Sequence, residues 1–99
     1  MFNLSNKTAI VTGGASGIGL AIAKLFAQQG AVVHVTDISE ENCQQTVFDI
    51  KEAGGEAFAH VCDVTRQDAV AELYQRIGRI DILVNSAGIS HIGRADTTA

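Results

Sequence analysis

A glycine-rich segment at residues 12–19 constrains this chain more than any other feature, because it joins two different hydrophobic patterns. Before it, residues 8–11 form a short apolar run typical of a buried strand. After it, apolar residues recur at helical spacing, at Ile18, Ile22, Leu25 and Phe26. A helix that starts directly after such a turn presents unpaired N–H groups and a partial positive charge, and glycines let the backbone approach a bound phosphate. The junction therefore predicts a strand, a phosphate-binding turn and a helix.

The rest of the chain repeats the alternation of strand and helix with short turns. We expect strands at residues 8–11, 31–36, 56–62 and 80–85, and helices at 17–29, 40–53 and 65–78. Ser39 is predicted to cap the second helix, and Thr65 with Asp68 the third. Strands joined by crossover helices run parallel, and right-handed crossovers favour the order 3-2-1-4. The predicted fold class is α/β, a doubly wound parallel sheet with the first two helices on one face and the third on the other.

Composition and charge exclude several classes of protein. The chain has 99 residues, 46% of them hydrophobic, and no proline, which is typical of a single globular unit and not of a disordered tail. No apolar run is long enough to cross a membrane, and we expect no signal peptide. The net charge of −4, with scattered arginines, argues against nucleic acid as a partner. Cys43 and Cys62 have neither metal nor disulfide spacing, so free thiols and a cytoplasmic location are expected.

The glycine spacing is G-x-x-x-G-x-G, which differs from the general G-x-G-x-x-G pattern and from a Walker loop. Together with Thr12 it resembles the cofactor motif of the short-chain dehydrogenase/reductase family. Three further segments resemble that family, each at the predicted end of a strand: Asp37, Asp63-Val64, and Asn85-Ser86-Ala87-Gly88. The last is similar to the family's Asn-Asn-Ala-Gly, with Ser86 where asparagine is usual.

The resemblance implies a Rossmann-type domain that binds a dinucleotide. The glycine turn would hold the pyrophosphate, Asp63 and Val64 would border the adenine, and residues 85–88 would line the ribose side and tie strand 4 to the sheet. The cofactor-binding residues it implies are Gly13, Ser16, Gly17, Ile18, Gly19, Asp37, Ile38, Asp63, Val64, Asn85, Ala87 and Gly88.

Asp37 also has a physical argument of its own. A carboxylate at the tip of strand 2 can accept hydrogen bonds from the ribose hydroxyls, and its charge repels a 2′-phosphate. Its neighbours Ile38 and Ser39, and Ser16 in the glycine turn, supply no positive charge. NAD is therefore the expected cofactor, ahead of NADP.

The catalytic residues that the resemblance implies do not occur in the sequence. The family uses a tyrosine with a lysine four residues later as its proton-transfer group. The single tyrosine, Tyr74, is followed four residues later by Gly78, and its position on an apolar helix face indicates core packing. We therefore expect residues 1–99 to be the N-terminal part of one NAD(P)-binding domain without its catalytic half, and inactive alone. The parent would be a homo-oligomeric oxidoreductase that transfers a hydride between NAD(H) and an alcohol or carbonyl substrate.

Two other functions fit parts of the pattern. One is a stand-alone, non-catalytic NAD-binding or regulatory module. The other is a methyltransferase, which also has a glycine turn and an acidic residue after strand 2, although the glycine spacing and residues 85–88 argue against it. His34 and His60 fall inside strands, where structural roles are expected, and we predict no metal site. His91 follows residues 85–88 and could lie near a substrate entrance. With one helix to cover one face of four strands, we expect the 99-residue chain to be marginally stable or to associate through strand 4.

Overall fold

A computed structural model describes residues 3–13, 15 and 17–86, and these residues form four parallel strands with three helices. The elements are β1 (Thr8–Thr12), α1 (Gly17–Gln28), β2 (Val32–Asp37), α2 (Glu40–Glu52), β3 (Glu56–Val61), α3 (Gln67–Ile77) and β4 (Ile82–Asn85). The strand order is β3-β2-β1-β4, and every neighbouring pair is parallel. The predicted α/β class and the order 3-2-1-4 are therefore confirmed.

The register of the sheet decides which side chains share a face. Ile10 pairs with His34, and His34 pairs with Phe58, so these side chains lie in one row across the sheet. The opposite face carries Val33, Val35 and Ala57, which belong to one buried cluster with residues of α1 and α2. Residues of α3 line a pocket together with His34 and Phe58 on the first face. Two helices thus cover one face and one helix the other, as the crossover rule predicts.

The buried face of α1 is made of small residues, which the sequence pattern did not single out. Ala23 and Ala27 are buried, whereas Ile18 is 58% exposed and Leu25 is 47% exposed. The apolar spacing predicted the helix correctly, but Ile18 and Leu25 do not form its inner face. Small side chains let the helix axis approach the sheet closely, so the alanines take the inner positions.

The second helix follows its sequence signals closely. Ser39 has an extended backbone and its side chain accepts a hydrogen bond from the Asn42 amide at 3.2 Å, so it is the predicted N-cap. Cys43, Val47 and Ile50 are buried on the inner face. The helix ends at Glu52, one residue before the predicted end.

The third helix begins later than predicted. Thr65 does not cap it: the Thr65 hydroxyl donates to Asp63 Oδ1 at 2.6 Å, and its amide donates to the same oxygen at 3.0 Å. Arg66 occupies the cap position without a side-chain cap hydrogen bond, and Asp68 pairs with Arg66 rather than completing a capping box. The turn chemistry of Asp63 competes with helix capping and takes the threonine, which moves the helix start to Gln67.

The boundaries of the strands shift by one or two residues. β1 extends to Thr12 and β2 runs from Val32 to Asp37, whereas β3 ends at Val61 and β4 begins at Ile82, where its pairing with β1 begins. On the α3 face, Phe58 is 50% exposed and Leu83 is 53% exposed, so α3 leaves both edge strands partly uncovered. Among the described residues, no helix combines the length and the apolar character that crossing a membrane requires.

Candidate functional site

The carboxyl ends of β1, β2 and β3 meet at one edge of the sheet and enclose a pocket of about 250 Å³. Gly13 comes from the turn after β1, Asp37 and Ile38 from the end of β2, and Cys62, Asp63, Val64 and Thr65 from the turn after β3. Parallel strands bring these ends together although the residues lie far apart in the sequence. Five of the sequence-predicted site residues therefore share one pocket: Gly13, Asp37, Ile38, Asp63 and Val64.

The glycine turn has the backbone conformation that its glycines permit. Gly13 has a φ of 67° and Gly17 a φ of 56°, values that side chains rarely allow. The Gly13 amide donates to the Thr36 carbonyl at 2.7 Å, which holds the turn against β2. A Cβ added at Gly17 would meet no atom within 4 Å, so the space in front of the start of α1 is open on that side. Ser16, between them, lies outside the described residues.

Gly19 is required for a different reason, which is the packing of α1 against the strand ends. A Cβ at Gly19 would overlap the Gly13 carbonyl oxygen and the Ser86 hydroxyl. Ser86 is buried, and its hydroxyl donates a hydrogen bond to the Thr12 carbonyl. The end of β4, the glycine turn and the first turn of α1 therefore contact one another through Gly19 and Ser86.

Neighbouring backbone amides donate hydrogen bonds to the carboxylate of Asp37. Its Oδ1 accepts from the Ile38 amide at 2.7 Å and from the Ser39 amide at 3.4 Å, and its Oδ2 accepts from the Ala15 amide of the glycine turn at 3.2 Å. An ionised carboxylate offers about four acceptor positions, so the three contacts leave capacity for a further donor. The carboxylate thus braces the glycine turn and faces the pocket at the same time.

Asp63 forms the tight turn that leads from β3 to α3. Its Oδ1 accepts hydrogen bonds from both the Thr65 amide and the Thr65 hydroxyl. These hydrogen bonds lower the pKa of Asp63 below its usual value, the hydroxyl contributing most, so the side chain is an ionised acceptor at neutral pH. Burial raises the pKa of the neighbouring Cys62 thiol, and the charge of Asp63 adds to the effect. The pocket wall after β3 therefore carries one carboxylate and one neutral thiol.

Asn85 lies opposite Thr12 across the β1–β4 pair. The Thr12 hydroxyl lies 3.0 Å from Asn85 Oδ1 and 3.2 Å from the Val84 carbonyl, and it donates toward both acceptors. This contact ties the end of β4 to the end of β1, as expected for the segment at residues 85–88. The predicted site residues Ala87 and Gly88 lie outside the described residues, as does His91.

Not every predicted residue lines the pocket itself. Gly17, Ile18, Gly19 and Asn85 are not among its lining residues; the first three belong to the first turn of α1, and Asn85 ends β4. Ile18 in the first turn of α1 is 58% exposed, and Ile38, which lines the pocket, is 68% exposed.

Sequence reasoning did not assign roles to the side chains of Thr12, Ser86 and Cys62. Thr12 and Asn85 come from distant segments, and only the parallel register places them side by side. The sequence predicts only that Cys62 is a free thiol; its place in the pocket wall follows from the end of β3 at Val61. Among the described residues, no group of three or more histidine, cysteine, aspartate or glutamate side chains is arranged to hold a metal ion.

Comparison with known proteins relates this geometry to one family. A family model described as short chain dehydrogenase matches residues 7–99. An uncharacterized oxidoreductase of Thermotoga maritima (strain ATCC 43589 / DSM 3109 / JCM 10099 / NBRC 100826 / MSB8) is 42% identical over 99 residues, covering 98% of this chain and 39% of the relative. The chain thus spans well under half the length of that relative.

Solved structures give the same result. A 7α-hydroxysteroid dehydrogenase in complex with NADH and 7-oxo glycochenodeoxycholic acid has a TM-score of 0.79 and 41% identity, over 85% of this chain and 34% of the other. The RhlG/NADP active-site complex from Pseudomonas aeruginosa has a TM-score of 0.77 and 35% identity, over 85% of this chain and 35% of the other. With its glycine turn, its strand order and its strand-end carboxylates, the chain belongs to the short chain dehydrogenase family.

Proposed function

We propose that this chain binds NAD and forms the cofactor-binding portion of an oxidoreductase that transfers a hydride between NAD(H) and an alcohol or carbonyl substrate. The observation that carries the proposal is the pocket in which Asp37 and Asp63, from different strands, meet beside the glycine turn. The similarity to solved relatives in complex with NADH and with NADP supports a dinucleotide as the ligand.

The residues present fit such a cofactor. The first turn of α1 presents backbone amides that lack partners within the helix, and the space in front of Gly17 is open, which suits the pyrophosphate. Asp37 would accept hydrogen bonds from the adenosine ribose, since its carboxylate has acceptor capacity left. Asp63 would accept from the exocyclic amine of the adenine, and Ile38 and Val64 would contact the ring.

The remaining predicted residues would act around this core of the site. Gly19 lets α1 approach the strand ends, and the exposure of Ile18 suits a residue that contacts a ligand. Ser16, Asn85, Ala87 and Gly88 are proposed to complete the pyrophosphate and ribose contacts. The bound cofactor would supply the hydride acceptor or donor at its nicotinamide, and the residues of this chain would bind and orient it.

The preference for NAD over NADP rests on charge. Asp37 and Asp63 are the charged residues among those lining the pocket, and both are acidic. A 2′-phosphate beside Asp37 would place like charges together without a compensating lysine or arginine from the pocket wall. Solved relatives include one complex with NADH and one with NADP, so the proposed preference rests on the charge of the residues around Asp37 and not on the family.

The activity of a whole protein built on this chain is also a proposal. Tyr74 is half-buried in α3 and has Gly78 four residues later, so this chain supplies no tyrosine–lysine pair, and we propose that it does not turn over a substrate alone. Membership of the dehydrogenase family replaces the methyltransferase alternative. The non-catalytic NAD-binding module remains as the second candidate, because the proposed roles of the pocket residues are all in binding the cofactor. A cytoplasmic location and a homo-oligomeric parent stay predictions.

The proposal is tested by titrating the chain with NADH and with NADPH, and binding is measured by fluorescence. Wild-type protein is expected to bind NADH more tightly than NADPH. Asp37→Asn keeps the shape of the side chain but removes its charge, so it is expected to weaken NADH binding. The ratio of the NADPH dissociation constant to the NADH dissociation constant is expected to fall by about tenfold, which corresponds to about 1.4 kcal/mol. Asp37→Ala should narrow the ratio too, with a further loss from the freed glycine turn.

Asp49→Asn is the matched control, since Asp49 lies on α2 beside Lys24, outside the residues that line the pocket. It is expected to leave both affinities unchanged. A ratio that Asp37→Asn does not change, in a folded variant, would contradict the ribose assignment. If neither dinucleotide binds to folded wild-type protein, the cofactor proposal fails. Reading the coding sequence beyond Ala99 for a serine and a Tyr-x-x-x-Lys then separates an oxidoreductase from a binding module.

A further inference from the structure

His34 and His60 form a pair on the opposite side of the sheet from α1 and α2, and neither lines the proposed cofactor pocket. His34 Nδ1 and His60 Nε2 lie 2.8 Å apart, the ring centroids are 5.0 Å apart and the ring planes are inclined by 23°. The ring of Phe58, which is paired with His34 in the sheet, stacks on His34 with a centroid distance of 5.2 Å. A distance of 2.8 Å between ring nitrogens is a hydrogen bond in which one ring donates its N–H and the other accepts it.

Such a contact requires that at least one of the two rings is neutral. If both imidazoles carry a proton on both nitrogens, no lone pair remains to accept the hydrogen bond, and two positive charges face each other. The contact is therefore sensitive to pH by its geometry alone. It joins β2 to the edge strand β3, since His34 lies on the former and His60 on the latter.

The third helix borders a pocket beside this pair. Arg76 and Ile77 of α3 line a pocket of about 260 Å³ together with His34, Phe58 and His60. The positive charge of the Arg76 guanidinium acts on the His60 imidazole, so it opposes protonation of that ring. The position of Arg76 is thus linked to the charge of His60.

We propose that the hydrogen bond between His34 and His60, with Arg76 lining the pocket beside it, is an acid-sensitive contact between β2 and β3, closed while at least one imidazole is neutral and loosened when both become protonated. The titratable neighbours on the same side of β3 are Glu56 and Cys62, by the alternation of the strand. β2 contributes no further ionisable group on this side, because its other residues there are Val32 and Thr36. Arg76 is the charged group of α3 that lines the pocket.

The environment shifts both histidines in the direction that the geometry requires. Burial lowers the pKa of His34 below its usual 6.5, and the positive charge of His60 lowers it further. Burial also lowers the pKa of His60, and Arg76 adds to that effect. The unfolded chain then binds protons more readily than the folded chain. The contact between the neutral histidines therefore stabilises the fold fully above pH 6.5, and this stabilisation is lost as the pH falls through the lower pKa values of the folded state.

The contact has a route to the cofactor pocket. Asp63, Val64 and Thr65 line that pocket and lie between the end of β3 at Val61 and the start of α3 at Gln67. Because this turn continues directly from β3, a loosening of β3 from β2 would move it. We therefore expect weaker dinucleotide binding in mild acid, an expectation that rests on the proposed function, whereas the acid-sensitive contact itself does not.

The contact is tested first by following the imidazole resonances by NMR as the pH is lowered, in a His91→Gln background that leaves only two histidines. We expect two separate titrations, both below 6.5. Arg76→Gln is expected to move the titration of His60 toward the ordinary value, because it removes the nearby positive charge. Two independent titrations at the ordinary value, or no effect of Arg76→Gln, would overturn the proposal.

The second test compares thermal unfolding at about pH 7.5 and about pH 5.5, a range in which an unperturbed histidine changes its charge. The Tm of wild-type protein is expected to fall by at least about 4 °C between them. His34→Asn with His60→Gln places neutral amides where the two paired nitrogens lie, and is expected to remove at least half of that fall. An unchanged fall in the folded double variant would refute the contact; if the variant does not fold, the Arg76→Gln titration decides.

NADH affinity measured at the same two pH values forms the last arm. A decrease in wild-type protein that the double variant lacks supports the route through the turn at Asp63–Thr65. A decrease that persists in the double variant overturns this route and leaves the contact to the NMR and unfolding data. Absence of NADH binding at both pH values contradicts the proposed function rather than the contact.

Discussion

Replacing Gly19 by alanine tests the packing of the first helix against the strand ends. The new methyl group would overlap the Gly13 carbonyl oxygen and the Ser86 hydroxyl. The carbonyl is backbone and cannot rotate away, so the glycine turn or α1 has to move. Overpacking of this kind costs about 1–3 kcal/mol. Because the added methyl group meets a backbone atom and a buried hydroxyl, we expect a cost near the upper end of that range.

An opposing effect has to be subtracted. Alanine is favoured over glycine inside a helix by about 1 kcal/mol, because glycine loses more backbone entropy on folding. The net loss is therefore about 2 kcal/mol, which lowers the Tm of a domain of this size by about 8–16 °C. Ala21→Gly calibrates the helix contribution, since Ala21 is an exposed residue of the same helix. It should lose about 1 kcal/mol without any change in packing.

A double-mutant cycle with Ser86→Ala identifies the obstacle. Ser86→Ala alone removes the hydrogen bond to the Thr12 carbonyl and should cost about 1 kcal/mol. It also removes one of the two atoms that the alanine at position 19 would meet. The double variant should therefore be more stable than the two single losses imply, by about 1 kcal/mol. The assay is urea unfolding followed by circular dichroism. A Gly19→Ala variant as stable as wild type, or strictly additive losses, would refute the packing argument.

Two further predictions concern a helix cap and the acid limb of stability. Ser39→Ala should lower the free energy of unfolding in urea by about 1 kcal/mol, because the Asn42 amide loses its acceptor. Gln44→Ala, at an exposed position of the same helix, should stay within about 0.5 kcal/mol of wild type. Equal effects of the two substitutions would contradict the cap. The Thr8 amide and Arg79 lower the pKa of Asp81 below 3.8, so its stabilising effect is complete above that value and is lost as the pH falls through the lower folded pKa. In Asp81→Asn, the free energy of unfolding measured in urea should therefore fall less steeply with decreasing pH over that acid range. The same steepness in the variant and in wild-type protein would show that the contact contributes nothing.

The order of elements and the likeness to the family could be read from local signals. The glycine turn after an apolar run, Ser39 before its helix and the carboxylates at the strand ends each depend on a few neighbouring residues. Crossover handedness then left few arrangements of four parallel strands, and the observed order is the expected one. Asp37 and Asp63 can therefore be placed at one edge of the sheet from the sequence alone.

The contacts between distant segments were decided only by the tertiary structure. Thr65 was expected to cap a helix, yet it bonds to Asp63, because two local hydrogen-bonding options competed and the turn prevailed. Ile18 and Leu25 mark a helix by their spacing, but the depth of packing gave its inner face to alanines. The His34–His60 contact depends on the lateral register of β2 and β3, in which His34 is paired with Phe58 and lies two positions from the pair that contains His60. Sequence patterns determine which elements form, since those depend on neighbours along the chain; which side chains meet depends on register and approach distance, which are set only when the whole sheet is assembled.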